Sequence, residues 1–432
     1  MKTNPFSPNS PVHPGMFVGR IEELQRLEQA LVQTRSGQPA HFMITGERGI
    51  GKTSLLLYLK YLAEGDIPFN GETFKFLILN LDIDASTTQL GLIRRIQRHL
   101  DHQLGQTEAA REFLQKAWSF VQRIRICDSG IGEKTGPVYT LDEVHIDEFS
   151  LSLAEVCNRT CRPDANTLFS AKYDGFLILI DEADNCSIDL QLGSLLKLLV
   201  ERLQRQGCDR VLLGLAGLPE LRNKLYTSHP SSLRIFEDVH LDRLTSDEVA
   251  RVIETCLEKA NVENIEKTAI TEEAKQRLMF LSEGYPHFIQ QFCYSSFAAD
   301  SDNVIDILDV RKSAFGPRGA LDLIGDRYYR SDFYNKIQEE SYRQVLRIMA
   351  DDLDGWVTRA KIKAKFKGKA STLNNAIKAL RDRHIIWSKE GAKGIYHLQH
   401  KGFALWIKLY ADPDFLQSLL SDPSKQTPET TG

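Results

Sequence analysis

The run Gly46-Glu47-Arg48-Gly49-Ile50-Gly51-Lys52-Thr53-Ser54 has the residue types and spacing of a phosphate cradle. Its glycines let the backbone curl until several N–H groups point at one anion. A helix starting near Lys52 adds the positive end of its dipole. In this pattern Lys52 reaches the outer phosphates of a nucleoside triphosphate, and the Thr53 hydroxyl holds Mg²⁺. A second group of candidates closes the segment FLILIDEAD, residues 176–184. Asp181 and Glu182 stand at the end of a short apolar run, where open α/β sheets place ligands. Asp181 is expected to serve the Mg²⁺, directly or from the next layer out. Glu182 is expected to orient and polarise an attacking water.

These side chains need elements to hold them. HFMIT (41–45) precedes the loop and LLLYL (55–59) follows it, which predicts strand, loop and helix. FKFLILNLDI (74–83), RVLLGLAG (210–217) and EDVHLDRL (237–244) read as further strands. Apolar stripes over 21–33 and 190–204 read as helices between them. Strands alternating with helices predict an α/β fold with a mostly parallel sheet, covered on both faces. Lys52 and Asp181 are 129 positions apart, so about 86–172 must be an insertion. It reads as largely helical, over 90–104 and 108–125, with a Gly-rich loop or hairpin at 128–140. The core then spans 17–244. Residues 245–320 read as a helical lid, ending at the Gly/Pro break of 316–319. Residues 332–410 read as three helices and a two-stranded ribbon, a winged helix-turn-helix. Residues 1–16, with four prolines, should be extended without a core of their own, and 421–432 should be disordered.

The 432 residues carry a net charge of −4, with 42% hydrophobic residues, ordinary for a globular chain of two or three domains. The charge is uneven. Residues 355–408 hold thirteen Lys or Arg against two acids, a local +11 that leaves −15 for the rest. Seven scattered cysteines argue against a disulfide framework, and Cys157 and Cys161 lack further ligands for a metal site. The polar, proline-rich start and the lack of a long apolar run predict a cytoplasmic protein with no membrane partner.

With these motifs in place, the chain resembles the AAA+/STAND class of P-loop ATPases, over about residues 5–410. The likeness is to the branch of origin-recognition, archaeal-type STAND and transposon-associated ATPases. FVGR (17–20) is similar to the segment these proteins carry near the nucleotide base, which implicates Phe17 and Val18. LAGLPEL (215–221) resembles their sensor-1 region, although Leu215, Ala216 and Gly217 offer no polar side chain. SSLRIFEDVHLDRLTSDEV (231–249) resembles the stretch with the arginine finger, implying Arg234 as a catalytic residue in trans, with Arg222 and Arg243 as competitors. GYP (284–286) resembles the lid motif of STAND proteins and implicates Pro286, with no sensor-2 arginine beside it. YHLQHKGFALWI (396–407) resembles the end of the branch's winged-helix domain. The resemblance implies ATP as the nucleotide, ATP-dependent homo-oligomers, and slow, switch-like hydrolysis.

The C-terminal charge points to duplex DNA. The third helix of the winged domain would enter the major groove, with Ser371, Thr372, Asn374 and Asn375 toward the bases. Lys365, Lys367, Lys369, Lys378, Arg381 and Lys393 would meet phosphates. Trp356, Trp387 and Trp406 read as core or hinge residues rather than stacking platforms. Two other readings stay open. One is a signalling switch in defence or regulation, whose winged domain holds the off state and whose effector is a separate protein. The other is a nucleotide-bound scaffold without turnover.

Overall fold

The computed structural model describes residues 2–12, 17–121, 143–353, 355–389 and 391–412. The chain divides into two compact units, Pro11–Asp242 and Met1–Ser10 joined to Arg243–Gly432.

The first unit is built on five strands: β1 (Phe42–Gly46), β2 (Phe76–Asp82), β3 (Gly175–Asp181), β4 (Val211–Gly217) and β5 (Glu237–Leu241). Their order is β2-β3-β4-β1-β5, and every pairing is parallel. The expected parallel sheet is therefore present. β1 and β4 are buried throughout and β3 at all but its last residue. Such unbroken apolar runs follow from a sheet covered on both faces. Helices α1 (Ile21–Arg35) and α2 (Lys52–Glu64) bury Leu27, Leu31, Leu55 and Leu59.

The stretch read as an insertion has a clear structural task. Its helices α3 (Gln89–Leu104), α4 (Glu108–Ala117) and α5 (Glu143–Thr160) join α6 (Leu192–Arg205) in one apolar cluster with β2, β3 and β4. Leu92, Ile96 and Leu100 of α3 meet there with Leu77 and Leu79 of β2. Thr88 and Thr107 cap α3 and α4 by accepting from the Gly91 and Ala110 amides. The helix expected over 108–125 breaks after Ala117, turns at Trp118 and is helical again over 119–121; 122–125 and the loop expected at 128–140 lie outside the described residues.

The second unit opens with α7 (Ser246–Glu263), α8 (Glu272–Ser282), α9 (Pro286–Ala299) and α10 (Ile307–Phe315). Thr245 and Glu248 form a reciprocal capping box at the start of α7. Residues 2–10 form no helix or strand, yet they dock on this unit. Phe6 is buried, edge-on to Phe297 at 6.4 Å. Thr3 exchanges two hydrogen bonds with the Asn264 side chain, and Lys2 pairs with Asp300 at 2.5 Å. The N-terminal stretch has no core of its own, but it lends an aromatic side chain to another. Farther on come α11 (Glu340–Met349), β6 (Val357–Thr358), α12 (Arg359–Lys365), α13 (Ala370–Asp382), β7 (Ile386–Ser388), β8 (Ile395–Leu398) and α14 (Lys401–Trp406). The three short strands pair antiparallel in the order β6-β8-β7. The segment 421–432 lies outside the described residues. Among the described residues, no helix is long and apolar enough to cross a membrane.

Two desolvated imidazoles, His41 buried and His400 half-buried, give this fold a pH dependence. Burial pushes His41 down to about 4, where its Nδ1 accepts from the Leu213 amide, and pushes His400 down to about 3. The unfolded chain protonates each imidazole near its ordinary value of 6.5. Between about 6.5 and 4, unfolded chains therefore bind more protons, and stability declines as pH falls through that window. Full expression of the His41 shift is on the order of 3 kcal/mol. Denaturant unfolding of the first unit at pH 7 and pH 5 should show this loss. His41→Gln, which keeps an acceptor without the titration, should narrow the gap between the two midpoints.

Candidate functional site

The phosphate-cradle residues sit at the carboxyl ends of the central strands. Gly46 ends β1, and the loop turns into α2 at Gly51. Gly49 and Gly51 have φ of 79° and 102°, the left-handed region where a side chain is strained. At Gly46 a Cβ would stand 2.9 Å from both Ile50 Cγ2 and the Leu241 carbonyl, so the loop packs tightly on β5. Lys52 curls back along the loop and donates to the carbonyls of Gly46 and Glu47, at 2.8 and 2.9 Å. Burial lowers its pKa from the ordinary lysine value. The Asp184, Asp181 and Glu182 carboxylates oppose that shift. A half-buried ammonium beside inward-turned glycine backbone is a donor set that fits phosphate oxygens.

The predicted metal residues meet. Thr53 Oγ1 donates to Asp181 Oδ2 at 2.8 Å, across 128 positions of sequence. Two hard oxygen donors in contact fit Mg²⁺. Asp181 Oδ1 also accepts from the Glu182 amide at 2.8 Å. Glu182 is exposed and has a left-handed backbone, φ 50°. Its Oε2 accepts from Asn185 Nδ2 at 3.0 Å. Asn185 therefore holds the carboxylate that the sequence nominates as base, a partner that motif reading does not reveal.

Arg20 is a second residue that sequence reading passed over. It is buried, at the left-handed start of α1 with φ 61°. Its guanidinium donates to the carbonyls of Ile50, at 3.4 Å, and of Asp242, and pairs with Glu23 at 3.3 Å. The segment carrying Phe17 and Val18 is thus pinned to the phosphate loop and to the end of the last strand. Phe17 lies 5.7 Å from the Tyr58 ring on α2, and Ser54 Oγ accepts from the Val12 amide.

The weakness noted at the sensor-1 position has a steric cause. Asp184 Oδ1 accepts from the Leu218 amide at 2.9 Å, just beyond β4. A Cβ on Gly217 would lie 2.7 Å from that oxygen and 2.9 Å from Leu221 Cδ2. Lys224 locks the same turn by donating to the Asp184 and Cys186 carbonyls. The end of β4 therefore has no room for a polar side chain.

The three arginines separate cleanly. Arg222 pairs with Asp238. Arg243 pairs with Glu283 at 3.6 Å, donates to the Gln399 carbonyl and covers the Tyr285 ring at 4.6 Å. Arg234 sits exposed in a single 3₁₀ turn, Ser232–Ile235; its amide donates to the Ser231 carbonyl at 3.2 Å, and its guanidinium makes no hydrogen bond or ion pair among the described residues. The structure does not bring Arg234 into contact with Lys52, Asp181 or Glu182. Pro286, the first residue of α9, belongs to the second unit.

The charged C-terminal surface differs in part from its sequence reading. Helix α13 buries Leu373, Ala376, Ile377 and Leu380 and exposes Ser371, Asn374, Asn375, Lys378 and Arg381, with Thr372 half-buried. Lys367, Lys369 and Lys393 are exposed as well. Lys365, however, pairs with Asp351 at 2.6 Å, and Lys361 with Asp352 at 2.7 Å. Asn374 Oδ1 is taken by Arg359 at 2.7 Å. The acids lie just outside the window that gave +11. Over 332–412 there are sixteen basic and nine acidic residues, a net +7. Trp406 is core, as expected, but Trp356 and Trp387 are 41% and 40% exposed, which corrects their assignment to core or hinge.

Comparison with known proteins agrees with this architecture. Residues 16–213 match the family described as AAA ATPase domain. An uncharacterized HTH-type transcriptional regulator of Methanocaldococcus jannaschii is 24% identical over 405 residues, covering 92% of this chain and 90% of the relative. The Aeropyrum pernix ORC2 protein, solved as ADPNP–ADP complexes, shares the fold with a TM-score of 0.51 and 13% identity, over 98% of this chain and 99% of its own. Cdc6p from Pyrobaculum aerophilum gives a TM-score of 0.45 and 17% identity over 96% of each chain.

The crowding at the end of β4 is directly testable. Gly217→Asn, which installs a polar side chain at the sensor position, should lower the stability of the first unit by about 1–3 kcal/mol in urea unfolding. An unchanged midpoint would mean that Asp184 gives way.

Proposed function

We propose, from the match of residues 16–213 to the AAA ATPase domain family and from the fold shared with the Aeropyrum ORC2 protein, an ATP-dependent, DNA-binding switch that hydrolyses ATP slowly. The observation that carries this reading is the convergence of Lys52, Thr53, Asp181 and Glu182 at one end of the sheet. Lys52 and the loop amides would hold the β- and γ-phosphates. Thr53 and Asp181 would hold Mg²⁺, which when bound neutralises charge on the β- and γ-oxygens. Glu182, once released from Asn185, would accept a proton from the attacking water as the γ-phosphoryl passes to it, leaving ADP and phosphate. Arg234, exposed and uncommitted, is the arginine best suited to complete a neighbouring subunit's site. Phe17, Val18 and Pro286 are proposed on the base side of the nucleotide by family likeness.

DNA binding is assigned to the second unit, read as a helical lid followed by a winged helix. The exposed face of α13 and the basic residues around it support a duplex-binding role. So does the printed name of the Methanocaldococcus relative, an HTH-type regulator. A STAND-type signalling switch acting through a protein effector is the second reading. It is favoured by the crowded Gly217 and by Glu182 held on Asn185, both of which suit a poised rather than a fast enzyme.

ATP turnover with and without duplex DNA, at low and moderate salt, tests the proposal. Wild type should turn over slowly and faster with DNA. Glu182→Gln should lose about a hundredfold or more of the rate, and Lys52→Ala should lose nucleotide binding. Arg234→Ala should keep nucleotide affinity but lose about a thousandfold of the assembly-dependent rate. Turnover indifferent to DNA but raised by a protein partner would select the signalling switch. Lys378→Ala should weaken duplex binding and reduce the salt slope by about one.

A further inference from the structure

The three-stranded sheet of the second unit has one buried and one aromatic face. Ile386, Val357, Tyr396 and Leu398 are buried beneath it. On the opposite face, Trp387 of β7 stands across from His397 of β8. His397 in turn meets Trp356, just before β6, edge-on at 4.3 Å. The register explains the row. Val357 pairs with Tyr396, so the residue before Val357 falls opposite the residue after Tyr396. The ladder Trp356–His397–Trp387 thus crosses all three strands, a span of about two strand spacings or 10 Å.

Two tryptophans that are 41% and 40% exposed on one face are unusual for surface side chains of this size. The same face is cationic. Lys389, two residues beyond Trp387, reaches over the Trp356 ring at 5.8 Å. Lys393 is exposed in the turn between β7 and β8, and exposed His384 lies 5.7 Å from Trp387. Flat π-faces beside solvated cations match a ligand with exposed rings on an anionic backbone. A paired duplex hides its base faces in the stack, whereas an unpaired strand presents them.

We infer that the Trp356–His397–Trp387 ladder is a stacking platform for unpaired DNA bases, with Lys389 and Lys393 on the adjoining phosphates. The inference rests on the DNA-binding reading of this unit and adds a single-stranded mode to it. His397 wedges edge-on against Trp356, so that ring is held before any strand arrives, which limits the entropy cost of binding. Lys393 could serve phosphates in either mode, but the proposed base-facing residues and Lys378 lie on α13, a different element from the ladder, so the two modes are separable at Trp387 and Lys378.

The test uses the full chain with two labelled probes, an oligothymidylate of about twenty nucleotides and a duplex. Each is titrated by anisotropy, with tryptophan fluorescence read in parallel. The oligothymidylate should quench tryptophan emission. Trp387→Ala should weaken its binding about fivefold to a hundredfold, the range for loss of one stacked base. Duplex affinity should not change, and Trp387→Phe should restore most of the loss. Lys378→Ala should have the reverse pattern. Unfolding midpoints equal to wild type establish that the variants fold, as expected for a side chain this exposed. Duplex binding without oligothymidylate binding overturns the platform and leaves the duplex reading standing. Failure of both probes overturns both. Equal losses on the two probes, or a change in self-association in place of DNA affinity, would reassign the ladder to duplex or protein contact and overturn the inference.

Discussion

The hydrogen bond between Thr53 and Asp181 is the contact on which the rest of the first unit depends. It joins the first turn of α2, which follows β1, to the end of β3, although β4 lies between β1 and β3. That is possible only because all three strands run parallel and end at the same level. Thr45 is in register with Gly217, and Ile180 with Leu215. A slip of β3 by one residue against its neighbours would turn Asp181 toward the opposite face of the sheet. An unbroken apolar run has no alternation to resist such a slip, so the register is held by the packing of these side chains against the elements on each face. The described helices between β2 and β3 therefore matter to the site although they supply none of its residues. By closing one face of the sheet, they fix the register that brings a hydroxyl and a carboxylate together.

The sheet geometry also governs which neighbours these groups acquire. With β4 in the middle, its end must be slim and its turn rigid. Gly217 and the Asp184–Leu218 hydrogen bond meet both needs. Asp184 is also the first charge to oppose the desolvation of Lys52. One carboxylate thus braces the turn after β4 and helps to keep the lysine charged. The space it occupies is the space a sensor side chain would need. The lack of a polar group at Leu215-Ala216-Gly217 is therefore a consequence of how this chain braces its central strand.

Much of this is legible in the sequence alone. The loop at 46–54 and the acids at 181–182 are local patterns, and buried parallel strands announce themselves as unbroken apolar runs. The contacts that escaped are long-range or depend on a face. Arg20 acts on a carbonyl 222 positions away, which no window contains. The basic stretch looked stronger than it is because Asp351 and Asp352 lie just before it in sequence and fold back onto Lys365 and Lys361. Trp356 and Trp387 looked like core because large aromatics usually are. Strands of two or three residues are too short for alternation to show which side faces water. Only the pairing with β8 decides it.

Arg20 shows how a single guanidinium can tie distant parts of a chain into one mechanical element. A planar fork with five donors can serve several acceptors at once, which a lysine in the same place could not. Here it spans the Ile50 carbonyl in the phosphate loop and the Asp242 carbonyl, the last residue of the first unit. The left-handed backbone at Arg20 costs on the order of 1–3 kcal/mol and is held in place by those bonds and by Glu23. Ile50 is itself buried against Gly46, so its carbonyl cannot shift without moving the loop. The loop that cradles phosphate and the point where the chain leaves the core are therefore not independent. A displacement of one must stretch or break a bond to the same buried charge, and a buried guanidinium deprived of its acceptors is expensive. The coupling needs no chain of intermediates, because both ends meet in one side chain.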